Sequence, residues 1–247
     1  MKLKQRLVNN DNVYGTWCLI PSPEVINILA KASLDFVLID MEHGPVDFAL
    51  AQKMVMAAEA DGCEAIVRVP RNDEADILRA LDIGASGVIV PHIESVADRQ
   101  QALSFMKYAP QGVRGFSPYT RAGGYTSRPN HTINENERVI TGIIVEGKNG
   151  IDNIAEIVDD PQLDLVYIGT YDISVSLGKP GAVSDPEVLQ VLEKCVEIVR
   201  SAGKVAGCLF HNQKDLEYFK ELGIQFLAYK VDSAVLYDGF SIVRENK

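Results

Sequence analysis

Short runs of apolar, often β-branched residues alternate along the chain with longer stretches whose apolar residues recur at helical spacing. The apolar runs cover residues 14–20, 36–41, 65–70, 87–93, 140–146, 165–169, 205–210 and 226–231. FVLID, GVIVP and LVYIG are nearly continuous within them, as suits parallel strands buried on both faces. Between the runs, PEVINILAKA reads as a helix with Ser22 as N-cap and Pro23 at its first position. FALAQKMVMAAEADG reads as a helix stopped by Gly62. DEADILRALDIG, ESVADRQQALSFMKYAP, NGIDNIAEIVDD, PEVLQVLEKCVEIVRSAG, KDLEYFKELG and SAVLYDGFSIV complete the series. Strands alternating with helices predict a parallel sheet. Eight such pairs in 247 residues predict closure into a single-domain (β/α)8 TIM barrel spanning 1–247. An open doubly wound sheet is the rival, but its Gly-rich turn is missing after the first run, where the chain reads CLIPSPE. Residues 110–137 break the rhythm as a long polar segment rich in Gly and Arg, of the kind that is usually functional or mobile.

Composition narrows the partners. With 47% hydrophobic and 23% charged residues the chain is an ordinary globular one. A net charge of -10 argues against nonspecific nucleic-acid binding, which needs a Lys/Arg footprint. Cys18, Cys63, Cys195 and Cys208 form no C-x-x-C pair, and a chain of this size needs no staples, so reduced thiols and a cytoplasmic location are expected. MKLKQRLVNNDN lacks the apolar core of a signal peptide. No apolar run reaches the roughly 18 residues of a membrane helix, so no membrane partner is expected.

A barrel of this kind does its chemistry at the C-terminal ends of its strands. Those ends read Asp40-Met41-Glu42-His43, Arg68, His92-Ile93-Glu94, Glu146, Gly169-Thr170-Tyr171-Asp172, His211-Asn212 and, in the last strand, Lys230 and Asp232. Ionisable groups closing buried apolar strands are costly unless they pair or bind something. Glu146 and Asp172 end neighbouring strands and are placed to share a hard divalent cation, Mg²⁺ or Mn²⁺, while Asp172 also reads as a helix cap. His43, beside Asp40 and Glu42, suits a general base, with those carboxylates expected to fix its tautomer and raise its basicity. Arg68 suits an enolate or carboxylate clamp, or an ion pair with Asp40 or Glu42. Lys230 reads as an ion-pair partner for a strand-end carboxylate, an anion binder or a Schiff-base lysine. His92 and Glu94 read as a hydrogen-bonded pair or a second metal site. These parts describe aldol cleavage or condensation beside a 2-keto acid, with a metal as electron sink.

GTWCLIPSPEVINILAKASLDFVLIDMEHGPVD, AIVRVPRND, LRALDIGASGVIVPHIES, APQGVRGFSP, VEG and YIGTYDIS together resemble the HpcH/HpaI family of class II 2-keto-acid aldolases on the phosphoenolpyruvate/pyruvate-type barrel. The resemblance covers almost the whole chain. It implies His43 as catalytic base, Arg68 as enolate stabiliser, and Glu146 and Asp172 as ligands of Mg²⁺, Mn²⁺ or Co²⁺. It also implies that the amides of Gly169, Thr170, Tyr171 and Asp172 hold the pyruvate carboxylate and that Asp82 tunes the histidine. The pattern puts Asp82 at a helix end remote from its own barrel's mouth, so a contribution across a subunit contact is the route left to it. The resemblance further implies a homo-oligomer, a hexamer or trimer of dimers, with a C-terminal helix over 233–247 packed on a neighbour. Ile144 replaces a Gln common in the family, Tyr171 a small Ala, Gly147 a Thr or Ser, and Lys230 a Gly. The leading expectation is an aldolase releasing pyruvate and an aldehyde from a 2-keto-3-deoxy or 4-hydroxy-2-keto acid. The alternatives are a lyase or decarboxylase acting on oxaloacetate or an acyl-CoA ester, and a barrel that has lost catalysis and binds or assembles.

Overall fold

The computed structural model describes residues 2–245. Its strands are β1 (Val13–Cys18), β2 (Phe36–Asp40), β3 (Glu64–Arg68), β4 (Gly87–Val90), β5 (Ile140–Val145), β6 (Leu165–Ile168), β7 (Val205–Phe210) and β8 (Phe226–Val231). They pair in chain order, all in parallel, and β8 closes on β1 to complete one barrel. The helices are α1 (Leu3–Val8), α2 (Pro23–Lys31), α3 (Phe48–Glu59), α4 (Glu74–Asp82), α5 (Val96–Met106), α6 (His131–Arg138), α7 (Lys148–Asp152), α8 (Ile154–Ile157), α9 (Thr170–Ser176), α10 (Pro186–Ser201), α11 (Gln213–Leu222) and α12 (Asp232–Glu245). The chain is a single-domain (β/α)8 barrel, as its periodicity predicts. No described helix is long and apolar enough to cross a membrane.

Strand alternation divides the core in two. In β2, Val37 and Ile39 face the helices and join the outer apolar layer, while Phe36 and Leu38 join the barrel interior. Phe36 and Phe226 stack at 3.8 Å in the interior. A Cβ at Gly15 would lie 2.4 Å from the Phe36 ring, so only glycine leaves that ring its place. Each fully buried side chain of this size contributes about 1.5–3 kcal/mol, and a one-residue slip in any strand would turn its set the wrong way. That fixed register delivers the third inward residue of β2, Asp40, to the end of the barrel opposite Arg68 of β3.

The helix starts follow local chemistry. Ser22 accepts from the Val25 amide at 3.2 Å with Pro23 behind it, as the sequence predicts. Asp47, Asp73 and Ser95 cap α3, α4 and α5 in the same way.

Three expectations change. The N-terminal segment, read only as lacking a signal, forms α1, whose Leu3 and Leu7 join the interior cluster at the N-terminal end of the barrel. Glu64 Oε1 accepts from the Leu3 amide at 2.7 Å, and Lys4 Nζ reaches Asp164 at 2.7 Å. The single helix expected around 149–160 is interrupted at Asn153 and gives α7 and α8. The polar segment 110–137 contains α6 and packs under the barrel. Arg114 pairs with Asp82 at 2.8 Å, and Arg121 bonds Glu59 and the Ile83 carbonyl. Its charges meet the C-terminal ends of α3 and α4, which lie at the end of the barrel away from the strand C-termini.

Candidate active site

The C-terminal ends of the strands surround a cavity of about 320 Å³. Trp17, Asp40, His43, Arg68, Ile144, Glu146, Tyr167, Gly169, Thr170, Tyr171 and Asp172 all line it. Asp82, His92, Glu94 and Lys230, also singled out from the sequence, do not line it. Asp82 ends α4 at the opposite face with its carboxylate on Arg114, remote from His43 of the same chain, as the sequence pattern places it.

Arg68 is the fixed cation of the site. Its Nε donates to Asp40 Oδ1 at 2.9 Å and its second terminal nitrogen to Oδ2 at 2.5 Å, a two-pronged bond that fixes the guanidinium plane. Its remaining nitrogen lies 2.9 Å from Glu42 Oε2. Burial pulls the guanidinium pKa down, but the Asp40 bonds and the charges of Asp40, Glu42 and Glu146 outweigh that and raise it above its usual value. Trp17 lies under it, 4.5 Å from ring centre to guanidinium, and donates its own Nε1–H to the Tyr167 hydroxyl at 2.7 Å.

Asp40 also shapes the loop after β2. Its Oδ1 accepts from the amides of Glu42 at 3.0 Å and His43 at 3.2 Å. The sequence suggested that flanking carboxylates hold the His43 ring. The structure corrects this: Asp40 holds the His43 backbone, and no described residue hydrogen-bonds the imidazole, which is exposed at the rim.

Glu146 is buried at the end of β5. Its Oε1 accepts from the His92 amide at 2.9 Å and lies 2.8 Å from His92 Nδ1. Burial foremost, with the charges of Asp172 and Glu42, lifts its carboxyl above the usual range, against the lowering pull of the His92 amide and ring. Asp172 stands in the first turn of α9 and does not cap it; Gly169 is the cap residue and no side chain fills that role, so the helix-cap reading falls. Asp172 Oδ2 and Glu146 Oε2 lie 3.4 and 3.5 Å from the point a Cβ on Gly169 would occupy, and that Cβ would sit 2.9 Å from the Glu146 Cβ. Glycine here keeps open the space that both acid oxygens border. Among the described residues no group of three or more His, Cys, Asp or Glu is arranged around one metal position. On their own the two acids would give a hard cation only part of an oxygen donor set.

Two further sequence readings are corrected. His92 does not pair with Glu94: its Nε2 lies 2.8 Å from Glu42 Oε1, and Glu94 bonds Asn149. Lys230 meets no strand-end carboxylate and does not line the cavity. It adopts φ 46° and turns out to Asp238 of α12, at 2.6 Å. Asp232 accepts from the Leu19 and Ile20 amides at 3.0 Å and ties β8 to the loop after β1. Trp17, Tyr167, Leu209 and Val231 are lining residues that sequence reading missed. Counting back by two from Gly169 finds Tyr167, just as it finds Ile144 from Glu146.

The model of the HpcH/HpaI aldolase/citrate lyase family matches residues 14–238. A 5-keto-4-deoxy-D-glucarate aldolase from Klebsiella pneumoniae subsp. pneumoniae is 30% identical over 95% of this chain and 91% of its own. A pyruvate aldolase from Rhizobium etli is 30% identical over 96% of this chain and 93% of its own. The crystal structure of the citrate synthase SbnG superposes with a TM-score of 0.91 at 30% identity, over 99% of this chain and 96% of that one. A barrel matched by the family model over residues 14–238, with aldolases among its relatives, is a carbon–carbon lyase, and the chain belongs to the HpcH/HpaI aldolase/citrate lyase family.

Proposed function

We propose that the protein is a divalent-metal-dependent aldolase that cleaves a 2-keto-3-deoxy or 4-hydroxy-2-keto acid to pyruvate and an aldehyde. The observation that carries this reading is the open space at Gly169, bordered by one oxygen each of Glu146 and Asp172. Burial first, and the charges of Asp172 and Glu42 after it, lift the Glu146 carboxyl, and Asp40, Glu42, Glu146 and Asp172 together set an acidic excess at the mouth against one permanent cation, Arg68. A hard cation, Mg²⁺ or Mn²⁺ with Co²⁺ as a third candidate, relieves it and suits an all-oxygen donor set. The four thiols are buried and none of them lines the cavity.

Glu146 and Asp172 would hold the metal. When bound, it supplies Lewis-acid polarisation of the keto oxygen. The protein's own groups do the rest. The first-turn amides of α9, at Thr170, Tyr171 and Asp172, carry no side-chain cap and receive the substrate carboxylate. Arg68, locked by Asp40 and Glu42, faces the enolate oxygen with a charge that needs no rearrangement. His43, exposed at the rim, takes the proton from the C4 hydroxyl as the C3–C4 bond breaks. The electron pair of that bond passes into the enolate, which is then protonated at C3 to give pyruvate. The names of the aldolase relatives fit this substrate class. Condensation onto a keto acid, as in the citrate synthase relative, is the second reading, and decarboxylation of oxaloacetate would pass through the same enolate.

Exposed Val235, Leu236, Tyr237 and Phe240 along α12 support assembly into a homo-oligomer. The helix expected over 233–247 is α12, with residues 246–247 outside those described.

The test is pyruvate release from a panel of 2-keto-3-deoxy acids, with EDTA and metal add-back. Release that stops with EDTA and returns with Mg²⁺ or Mn²⁺ supports the reading. Metal-independent release with a borohydride-trapped lysine overturns it.

A further inference from the structure

We infer that His92 is a positioning residue that turns the Glu146 carboxylate toward the cation. This rests on Glu146 and Asp172 being the cation's ligands and adds a role the sequence did not suggest. The first observation is backbone strain. His92 stands at φ 55°, a left-handed conformation that glycine adopts freely and a β-carbon resists. Such outliers persist where surrounding structure enforces them, and they cluster at functional sites.

The second observation is what that conformation achieves. Both the amide and the Nδ1 of His92 reach one atom, Glu146 Oε1, at 2.9 and 2.8 Å. One carboxylate oxygen is thereby held from two sides by a single residue. The other, Oε2, is left facing the Gly169 gap that Asp172 Oδ2 also borders. The ring's far nitrogen lies 2.8 Å from Glu42 Oε1, and Glu42 Oε2 lies 2.9 Å from Arg68. A continuous run of contacts therefore joins Asp40, Arg68, Glu42, His92 and Glu146. His92 has a side chain 67% exposed, so apolar packing does not explain its place. Groups that orient a ligating carboxylate from outside the coordination sphere commonly set metal affinity by 10–100-fold.

The conformation itself supplies the right variant. His92→Gly removes the imidazole while easing the backbone, so the chain folds with a thermal midpoint at or above the wild type's. The readout is free Mn²⁺ by electron paramagnetic resonance, titrated into wild type, His92→Gly, His92→Asn and Glu146→Gln. We expect one site in the wild type, lost in Glu146→Gln, with Kd raised roughly 10–100-fold in His92→Gly. His92→Asn, whose amide restores a donor near the Nδ1 position, should fall between. Wild-type affinity in His92→Gly overturns the positioning role alone. Failure of the wild type to bind Mn²⁺ at Glu146 overturns that role together with the ligand assignment beneath it.

Discussion

At the residue scale the mouth separates groups that hold a charge from groups that move a proton. Arg68 is locked from two sides, whereas His43 is tethered only by its backbone. His43→Ala should lower kcat for aldol cleavage about 10²–10⁴-fold. Its metal Kd should stay that of the wild type, because the base is not a ligand; a loss of metal affinity would contradict the division of roles. Gly169→Ala should do the reverse. Its Cβ would crowd Glu146 and fill the gap between the acids, so Mn²⁺ binding should be lost before any change at Arg68 or His43. Undiminished Mn²⁺ affinity in that variant would place the cation elsewhere. Strand endings made the acids, the arginine and the histidine legible in the sequence. His92 was misread because pairing with its neighbour Glu94 was the local choice. Its actual partners, Glu42 and Glu146, come from other strand ends and depend on a left-handed turn that no periodicity announces. Lys230 was misread for the same reason: alternation pointed it inward, and a positive φ turned it out.

At the element scale the eight strands were legible because parallel strands covered on both faces are near-continuous apolar runs, and their register followed from period two. α1 was not, since six residues with two buried leucines are too short a pattern to distinguish from a polar tail. The segment before α6 hid its packing because its buried members are charged: Arg114 stacks 4.5 Å from Tyr108 while bonding Asp82. This region also buries Lys107, just after α5, whose Nζ donates to the Asn136 carbonyl at 2.5 Å. Burial first, then the charges of Lys4 and Arg114 against that of Asp164, lower its pKa to about 8. The unfolded chain, near the ordinary 10.5, therefore holds more protons across that interval. The burden is complete below pH 8 and is relieved as pH rises toward 10.5. Denaturant unfolding of wild type and Lys107→Met at pH 7, 8, 9 and 10 should show the wild type gaining on the variant above pH 8. Subtracting the two cancels the opposite slope from the buried thiols, Cys63 and Cys195, raised to about 12 and 11. A pH-independent difference would contradict the assignment.

At the scale of the whole molecule the closed sheet carries two unlike ends. The N-terminal end is plugged by α1, and the C-terminal end is left open and acidic. α12 adds a row of exposed apolar side chains beside that open end. Phe240→Glu should reduce the assembled mass by sedimentation while leaving the thermal midpoint of the barrel in place; an unchanged mass would remove α12 from the assembly interface. The cation between Glu146 and Asp172 is the claim on which the catalytic account turns. It is tested most directly by proton NMR of pyruvate in D₂O, since enolisation needs no aldehyde partner. With Mg²⁺ or Mn²⁺ the wild type should exchange the methyl protons for deuterium, EDTA should stop the exchange, metal should restore it, and Asp172→Asn should lack it. Exchange that persists in EDTA, or at the wild-type rate in Asp172→Asn, would contradict the account.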